Sequence, residues 1–164
     1  MYGSQIWSTP YLKRPDKAKS LTVHVRHLGF LKRVLGVKRS TSSEAVLRET
    51  GQLPLEFYWF RAVMKFWNAA QKLCFESNGC DVLRDVMKAD IELAKRRPDI
   101  NCWSKEVCDA LTNIPGGQAL ACCIQNKRKV DMGIFVKALH AQMDGIWVTA
   151  RGQQGPRSAG IGSW

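Results

Sequence analysis

An amphipathic pattern over residues 54–73 constrains the fold of this chain more than any other feature. Apolar residues recur there at helical spacing: Leu55, Tyr58, Trp59, Ala62, Val63, Phe66, Trp67, Ala70 and Leu73. A stripe with this i, i+3, i+4, i+7 period is typical of a helix that packs one face against a core. Pro54 stands where the first turn of a helix tolerates proline. We therefore predict a long helix that organises the hydrophobic core.

The same period predicts two helices before this one. The first covers residues 24–35, and Gly36 is placed to end it. Thr41 and Glu44 have the S/T-x-x-E spacing of a capping box, which predicts a short helix over 43–49. A basic helix, a Ser/Thr turn and a short helix are therefore expected to precede the aromatic-rich helix.

Further helices are predicted in the second half of the chain. One has its apolar period from Val82 to Ala94 and is broken at residues 96–98, a second is capped by Asn101 or Ser104, and a third covers 132–147. Strand signals are weak throughout. Helices joined by short connections predict an all-α fold, an irregular helical bundle of five to seven helices.

Composition divides the chain into three parts. Its 164 residues are 45% hydrophobic, which is enough for one domain with a real core. We expect a basic N-terminal arm or linker over 1–23, of which 8–23 is mobile, and a helical domain over 24–150. A loose Gly-rich tail is expected over 151–164.

Positive charge is concentrated near the N-terminus. The chain has 25 Lys and Arg against 14 Asp and Glu, a formal net charge of +11, and residues 1–40 hold nine of those cations but only one acid, Asp16. Clustered cations attract phosphate backbones by releasing condensed counterions, without reading sequence. A polyanion such as RNA or DNA is therefore the expected partner, and a merely solvated basic face is the alternative.

Candidate contact residues follow from this charge and from the helical period. Trp59 and Trp67 lie on the apolar stripe and are predicted to be core, whereas Phe60 lies off it and is predicted to be exposed. Cations interleaved with aromatic residues can hold a nucleic-acid backbone while bases stack. The predicted nucleic-acid contacts are Arg26, Lys32, Arg33, Lys38, Arg39, Arg61 and Lys65.

The sequence lacks the motifs of several catalytic and metal sites. No two acidic residues are adjacent, so the carboxylate pair of a two-metal polymerase is missing. Six cysteines occur without a CxxC spacing, and the three histidines lack zinc-finger spacing. No GxxxxGK[ST] loop is present. We therefore expect no catalytic residues, no enzymatic activity, no cofactor and no bound metal.

The N-terminal residues and the cysteines also bear on location. Residues 1–20 are polar and basic with two prolines, which does not fit a signal peptide, and no apolar stretch is long enough to cross a bilayer. We expect an intracellular, reducing compartment without a membrane association. Nucleus and cytoplasm both remain open.

Two segments together carry an ordered series of short motifs. Tyr2–Trp7 reads YG-x-x-x-W, and Phe30–Asn68 contains FLKRVLGV, an ST pair, V-x-x-E-x-G, PL and an aromatic stretch ending in FWN. Their order and spacing resemble the region after the polymerase core in reverse transcriptases of LINE-type non-LTR retrotransposons, in the plant and green-algal style.

This resemblance implies a thumb-adjacent or post-polymerase segment without catalytic residues, which contacts template RNA or target DNA through its basic N-terminal third. In a complete element the polymerase core would lie upstream, as the missing partner of this fragment. Three alternatives remain. The chain is a helical protein-interaction module that uses the Trp/Phe-rich helix and has no nucleic-acid role, or a helix-turn-helix DNA reader, or a fragment without a function of its own.

Overall fold

The computed structural model describes residue 3, residue 6 and residues 8–14, 19–76 and 81–153, without the side chains of residues 75, 76 and 146–153. Within these residues the chain is all-helical, which confirms the predicted all-α class, but its eight α-helices exceed the predicted five to seven because short helices show little hydrophobic period. The eight α-helices of the described part are α1 Thr9–Leu12, α2 Thr22–Val34, α3 Ser43–Glu49, α4 Leu55–Gln71, α5 Asp81–Arg96, α6 Trp103–Thr112, α7 Gly117–Gln125 and α8 Met132–Gln153. A π-helical turn, Lys72–Glu76, extends α4.

Helix α4 lies at the centre of the main core. Trp59 and Trp67 are buried, as predicted, but Tyr58 on the same predicted stripe is 40% exposed. The prediction for Phe60 is wrong, because it is only 5% exposed and packs edge-on against Phe135 of α8 with ring centroids 5.1 Å apart. A helix that other helices cover on several sides buries residues outside a single stripe. The apolar period therefore located α4 correctly but underestimated its buried surface.

The Trp67–Asn68 pair fixes the loop between α7 and α8. The Trp67 indole N–H donates to the carbonyl of Arg128 at 2.9 Å. The Asn68 amide donates to the Val130 carbonyl and accepts from the Val130 backbone N–H, both at 2.8 Å. Because Val130 is buried, its backbone groups need protein partners. Adjacent residues of α4 thus supply the hydrogen bonds that hold a loop more than 60 positions later in the chain.

Helix α6 is capped by a side chain from α5. The Asp90 carboxylate accepts from the backbone N–H groups of Trp103 at 3.1 Å and Ser104 at 2.8 Å. A carboxylate at a helix N-terminus satisfies free N–H groups and is favoured by the helix dipole. The expected cap at Asn101 or Ser104 is therefore not the one found. Ser104 instead donates to the Asp90 carbonyl.

Short helix α1 lies within the predicted N-terminal linker and packs on α6. Thr9 donates from its hydroxyl to the Glu106 carboxylate at 2.9 Å, and the Lys13 ammonium pairs with Asp109 at 2.5 Å. Helical structure also reaches Gln153, beyond the start of the predicted tail. Residues 154–164 of that tail lie outside the described residues, as do Cys80, residues 15–18 of the linker and residues 1, 2, 4, 5 and 7, which include most of the Tyr2–Trp7 motif.

Helices α2 and α3 form a hairpin with a small core of its own, made by Leu28, Leu31, Val46 and Leu47. Both helices end at a glycine with positive φ, Gly36 at 65° and Gly51 at 63°, where other residues are strained. The predicted capping residue of α3 is off by one position, because Ser42 rather than Thr41 accepts from the Ala45 N–H at 3.3 Å. The hairpin stands beside the N-terminal end of α4, and this arrangement creates the candidate site.

Candidate nucleic-acid interface

A groove of about 770 Å³ separates the α2–α3 hairpin from the start of α4. The side of α2 forms one wall of the groove, and the loop before α3 continues this wall. Pro54 and Glu56 lie at the base. Met143 of α8 closes the base from the main core. The hairpin and the start of α4 therefore leave a concave surface large enough for a ligand.

Five cations line this groove: Lys19, Arg26, Lys32, Arg33 and Arg39. The structure thus brings together four of the predicted contacts, and it adds Lys19, which the sequence analysis did not single out. Lys38 is exposed in the loop after α2 but is not part of the groove lining. Arg61 and Lys65 lie on α4 outside the groove lining, with Lys65 exposed and Arg61 partly buried.

The charged residues of the groove are partly held in place by the protein. The Lys32 ammonium donates to the Arg39 carbonyl at 2.7 Å, so it ties the loop to α2. Lys19 lies 3.9 Å from Glu44, which also lines the groove. A backbone hydrogen bond lowers the pKa of Glu44, and the Ser42 hydroxyl, Lys19 and Lys32 lower it further. Glu44 is therefore ionised and offsets part of the positive charge, whereas Arg26, Arg33 and Arg39 keep exposed side chains.

A buried His24–Glu56 pair forms the floor of the groove. The His24 Nδ1 and a Glu56 carboxylate oxygen lie 3.7 Å apart, and their side chains are 4% and 12% exposed. A distance of 3.7 Å is too long for a hydrogen bond between them, and neither atom has another partner among the described residues. Two polar atoms are thus buried without compensation at the base of a basic groove, which is an arrangement that costs stability.

The protonation states of this pair follow from burial. Burial lowers the pKa of His24, and the neighbouring His27 and Lys19 lower it further. Burial also raises the pKa of Glu56, against smaller opposite effects of its own backbone hydrogen bond and of Lys19. A neutral imidazole therefore faces the carboxyl group at neutral pH. The pair is not an ion pair under these conditions.

Replacement of Glu56 by Gln is expected to stabilise the protein at neutral pH by about 1–2 kcal/mol, because it replaces a buried carboxylate, whose charge burial penalises, by a neutral amide of the same shape. A carboxyl group whose pKa is raised on folding stabilises the folded state below its unfolded pKa, and this contribution is lost as pH rises through the folded pKa. The difference in unfolding free energy between variant and wild type should therefore grow as pH rises from about 4.5 toward 7. Urea titrations across this pH range measure it.

The exposed Glu49 of α3 supplies the matched control. Glu49→Gln should change the unfolding free energy by less than about 0.5 kcal/mol at each pH. A lower stability of Glu56→Gln at pH 7 would contradict the description of the floor, because it would mean that the carboxylate is compensated in the folded protein.

The outer face of α2 borders the groove and combines cations with exposed apolar groups. Phe30 is 59% exposed and Val34 is 64% exposed. Phe30 follows Arg26 by four positions and precedes Arg33 by three, so all three share one side of the helix. In the sequence Phe30 is the first residue of the FLKRVLGV motif and was not among the predicted contacts. Its position off the Leu28–Leu31 side was the signal that it would be exposed.

The described residues contain no cluster of three or more metal-binding side chains. Cys74 and Cys108 are buried, and burial raises the pKa of the Cys108 thiol to about 12. A thiol with such a pKa is not a nucleophile at neutral pH.

Within the described part of the chain, no helix is long and apolar enough to cross a membrane.

Comparisons with protein-family models, characterised proteins and solved structures find no match to this chain.

Proposed function

We propose that this protein binds the phosphate backbone of nucleic acids through the groove between the α2–α3 hairpin and α4. One observation carries the proposal: five cations of residues 19–39 converge on one concave surface, against two carboxyl groups. Cations at such a surface replace the counterions condensed on a nucleic acid. The release of these counterions favours binding without sequence readout. The proposal includes no reaction and needs no catalytic group. In it the protein acts as a binding module.

We further infer a relationship to the post-polymerase region of LINE-type reverse transcriptases. Three of the motifs quoted for the resemblance contain residues with structural roles in this fold. Gly36 and Gly51 end α2 and α3, and Trp67 with Asn68 holds the loop before α8. Motifs with such roles are expected to have the same spacing wherever the same helices occur. In that setting the groove would hold the template or target strand beside the polymerase.

The test is a charge-removal variant that leaves the structural Lys32 in place. Arg26→Gln, Arg33→Gln and Arg39→Gln together should weaken binding to single-stranded RNA by about 100-fold at 0.1 M salt, because three phosphate contacts are lost. The slope of log affinity against log salt should fall by about 2. Fluorescence anisotropy over a salt series measures both quantities.

The control removes the same charge from exposed cations elsewhere. Lys88→Gln, Arg128→Gln and Lys137→Gln are exposed, do not line the groove and leave the same net charge as the test variant. This control should keep the affinity of the wild type within a few fold. Equal weakening by both variants would mean that net charge alone, rather than the groove, drives binding.

A second candidate function is docking of a protein partner. The prediction placed this activity on the Trp/Phe-rich helix, but Trp59 and Trp67 of α4 are buried. An exposed apolar stripe lies instead on α5, where Val82, Val86 and Leu93 share one side. An apolar docking site depends little on salt, so a partner bound through α5 would remain bound at high ionic strength.

A further inference from the structure

We propose that the outer face of α2 makes the groove selective for single-stranded nucleic acid, with a base stacked on Phe30 and the flanking phosphates held by Arg26 and Arg33. This inference rests on the proposed function and specifies its substrate class. It concerns a part of the surface outside the groove, since Phe30 is not among the groove-lining residues, whereas both arginines are.

The geometry of α2 places an aromatic ring between two cations. Residues three and four positions apart are neighbours on a helix surface, so Phe30 has Arg26 on one side and Arg33 on the other. The two arginines form the ridge between the groove and the outer face. A strand whose phosphates follow this ridge has its bases within reach of the ring.

Folding does not explain why Phe30 is aromatic. The hairpin core is built from Leu28 and Leu31 of α2, and Phe30 is 59% exposed beside them. An apolar ring left largely in water gains nothing from the core. A base that covered the ring would bury its apolar surface and add a favourable stacking interaction. The ring would therefore contribute more to binding than it contributes to folding.

The charge of α2 fits a strongly anionic partner. Thr22–Val34 contains two arginines, one lysine and two histidines but no acidic residue. A duplex offers phosphates to these cations, but its bases are already stacked on each other. A single strand offers both phosphates and free base faces. The aromatic ring therefore adds affinity only for the single strand.

An anionic lipid surface is the competing occupant of a basic helix with exposed apolar residues. The arginines that flank Phe30 also line a concave groove, together with Lys19 and Arg39. A flat bilayer does not enter such a groove, whereas a flexible strand does. The arrangement therefore favours nucleic acid over lipid.

The experiment compares binding of an oligothymidine single strand and of a hairpin duplex with the same number of phosphates, by anisotropy over a salt series. Wild type should prefer the single strand. Phe30→Ala should reduce the ratio of single-strand to duplex affinity about tenfold, whereas Phe30→Tyr should retain it. Val34→Ala, at a similarly exposed but aliphatic neighbour, should leave the ratio unchanged. Thermal melts by circular dichroism should verify that Phe30→Ala is folded.

Each other outcome has a definite meaning. An unchanged ratio in Phe30→Ala overturns the inference and leaves the proposed function standing. Wild-type binding to neither probe overturns the proposed function itself. Binding to phosphatidylserine vesicles that Phe30→Ala abolishes, together with no preference between the two oligonucleotides, overturns the inference in favour of a lipid surface.

Discussion

Gly117→Ala is expected to destabilise the protein by about 4 kcal/mol or more, which is a large fraction of the stability of a typical domain. A Cβ atom at this position would lie 1.8 Å from the Leu111 carbonyl oxygen and 2.7 Å from Ile114 Cγ1. The first of these contacts is to the backbone, so rotation of a side chain does not relieve it. Thermal and urea unfolding, followed by circular dichroism, measure the loss.

The reason lies in the turn between α6 and α7. The Gly117 N–H donates to the Ile114 carbonyl at 3.0 Å, and the Ile114 N–H donates to the Leu111 carbonyl at 3.1 Å. Gly116 has a φ of 69°, which lets the chain reverse in so few residues. Only a residue without Cβ at the next position allows α7 to start this close to the end of α6.

Gly145→Ala is the matched control, because it is the same exchange inside a helix with open space around the new methyl group. It should stabilise the protein by about 0.5–1 kcal/mol through the lower flexibility of alanine in the unfolded chain. A Gly117→Ala protein that melts at the wild-type temperature would show that the α6–α7 turn is wider than the structure indicates.

Trp67→Ala is expected to cost about 3–5 kcal/mol. The indole is completely buried, stacks on Trp103 at 6.2 Å between centroids and bonds the Arg128 carbonyl. Its removal leaves a large cavity in the core and an acceptor without its donor, and both effects destabilise. Chemical denaturation gives the free energy. Hydrogen exchange should also show faster exchange of the Val130 amide, because the adjacent Asn68 would lose its support.

Tyr58→Ala provides the comparison on the same helix, since Tyr58 is partly exposed and its hydroxyl bonds only the side chain of Gln52 at 3.1 Å. This change should cost less than about 1 kcal/mol. Similar losses for both aromatic residues would contradict the central position of Trp67 in the core.

Much of the candidate site could be predicted from charge and period. The charge cluster near the N-terminus and its position opposite or beyond the apolar face of α2 predict Arg26, Lys32, Arg33, Lys38 and Arg39, and all of these except Lys38 line the groove. Arg61 and Lys65 were chosen by their period on α4, but period does not tell which side of a central helix faces a given groove. The opposite wall and the His24–Glu56 floor depend on how the hairpin meets α4, which no local pattern encodes.

The sequence by itself determined the helical class, the position of most helices and their ends at Gly36 and Gly51, because hydrophobic period and backbone freedom are local properties. The hydrophobic period did not predict the short helices α1 and α7, because a short helix has too few residues to show a clear period. Only the tertiary structure decided which faces were covered and which partners met, as in the burial of Phe60. The cap of α6 by Asp90 and the clamp on Val130 by Asn68 join residues far apart in the chain. Such contacts form because buried polar groups must find partners wherever packing brings them together.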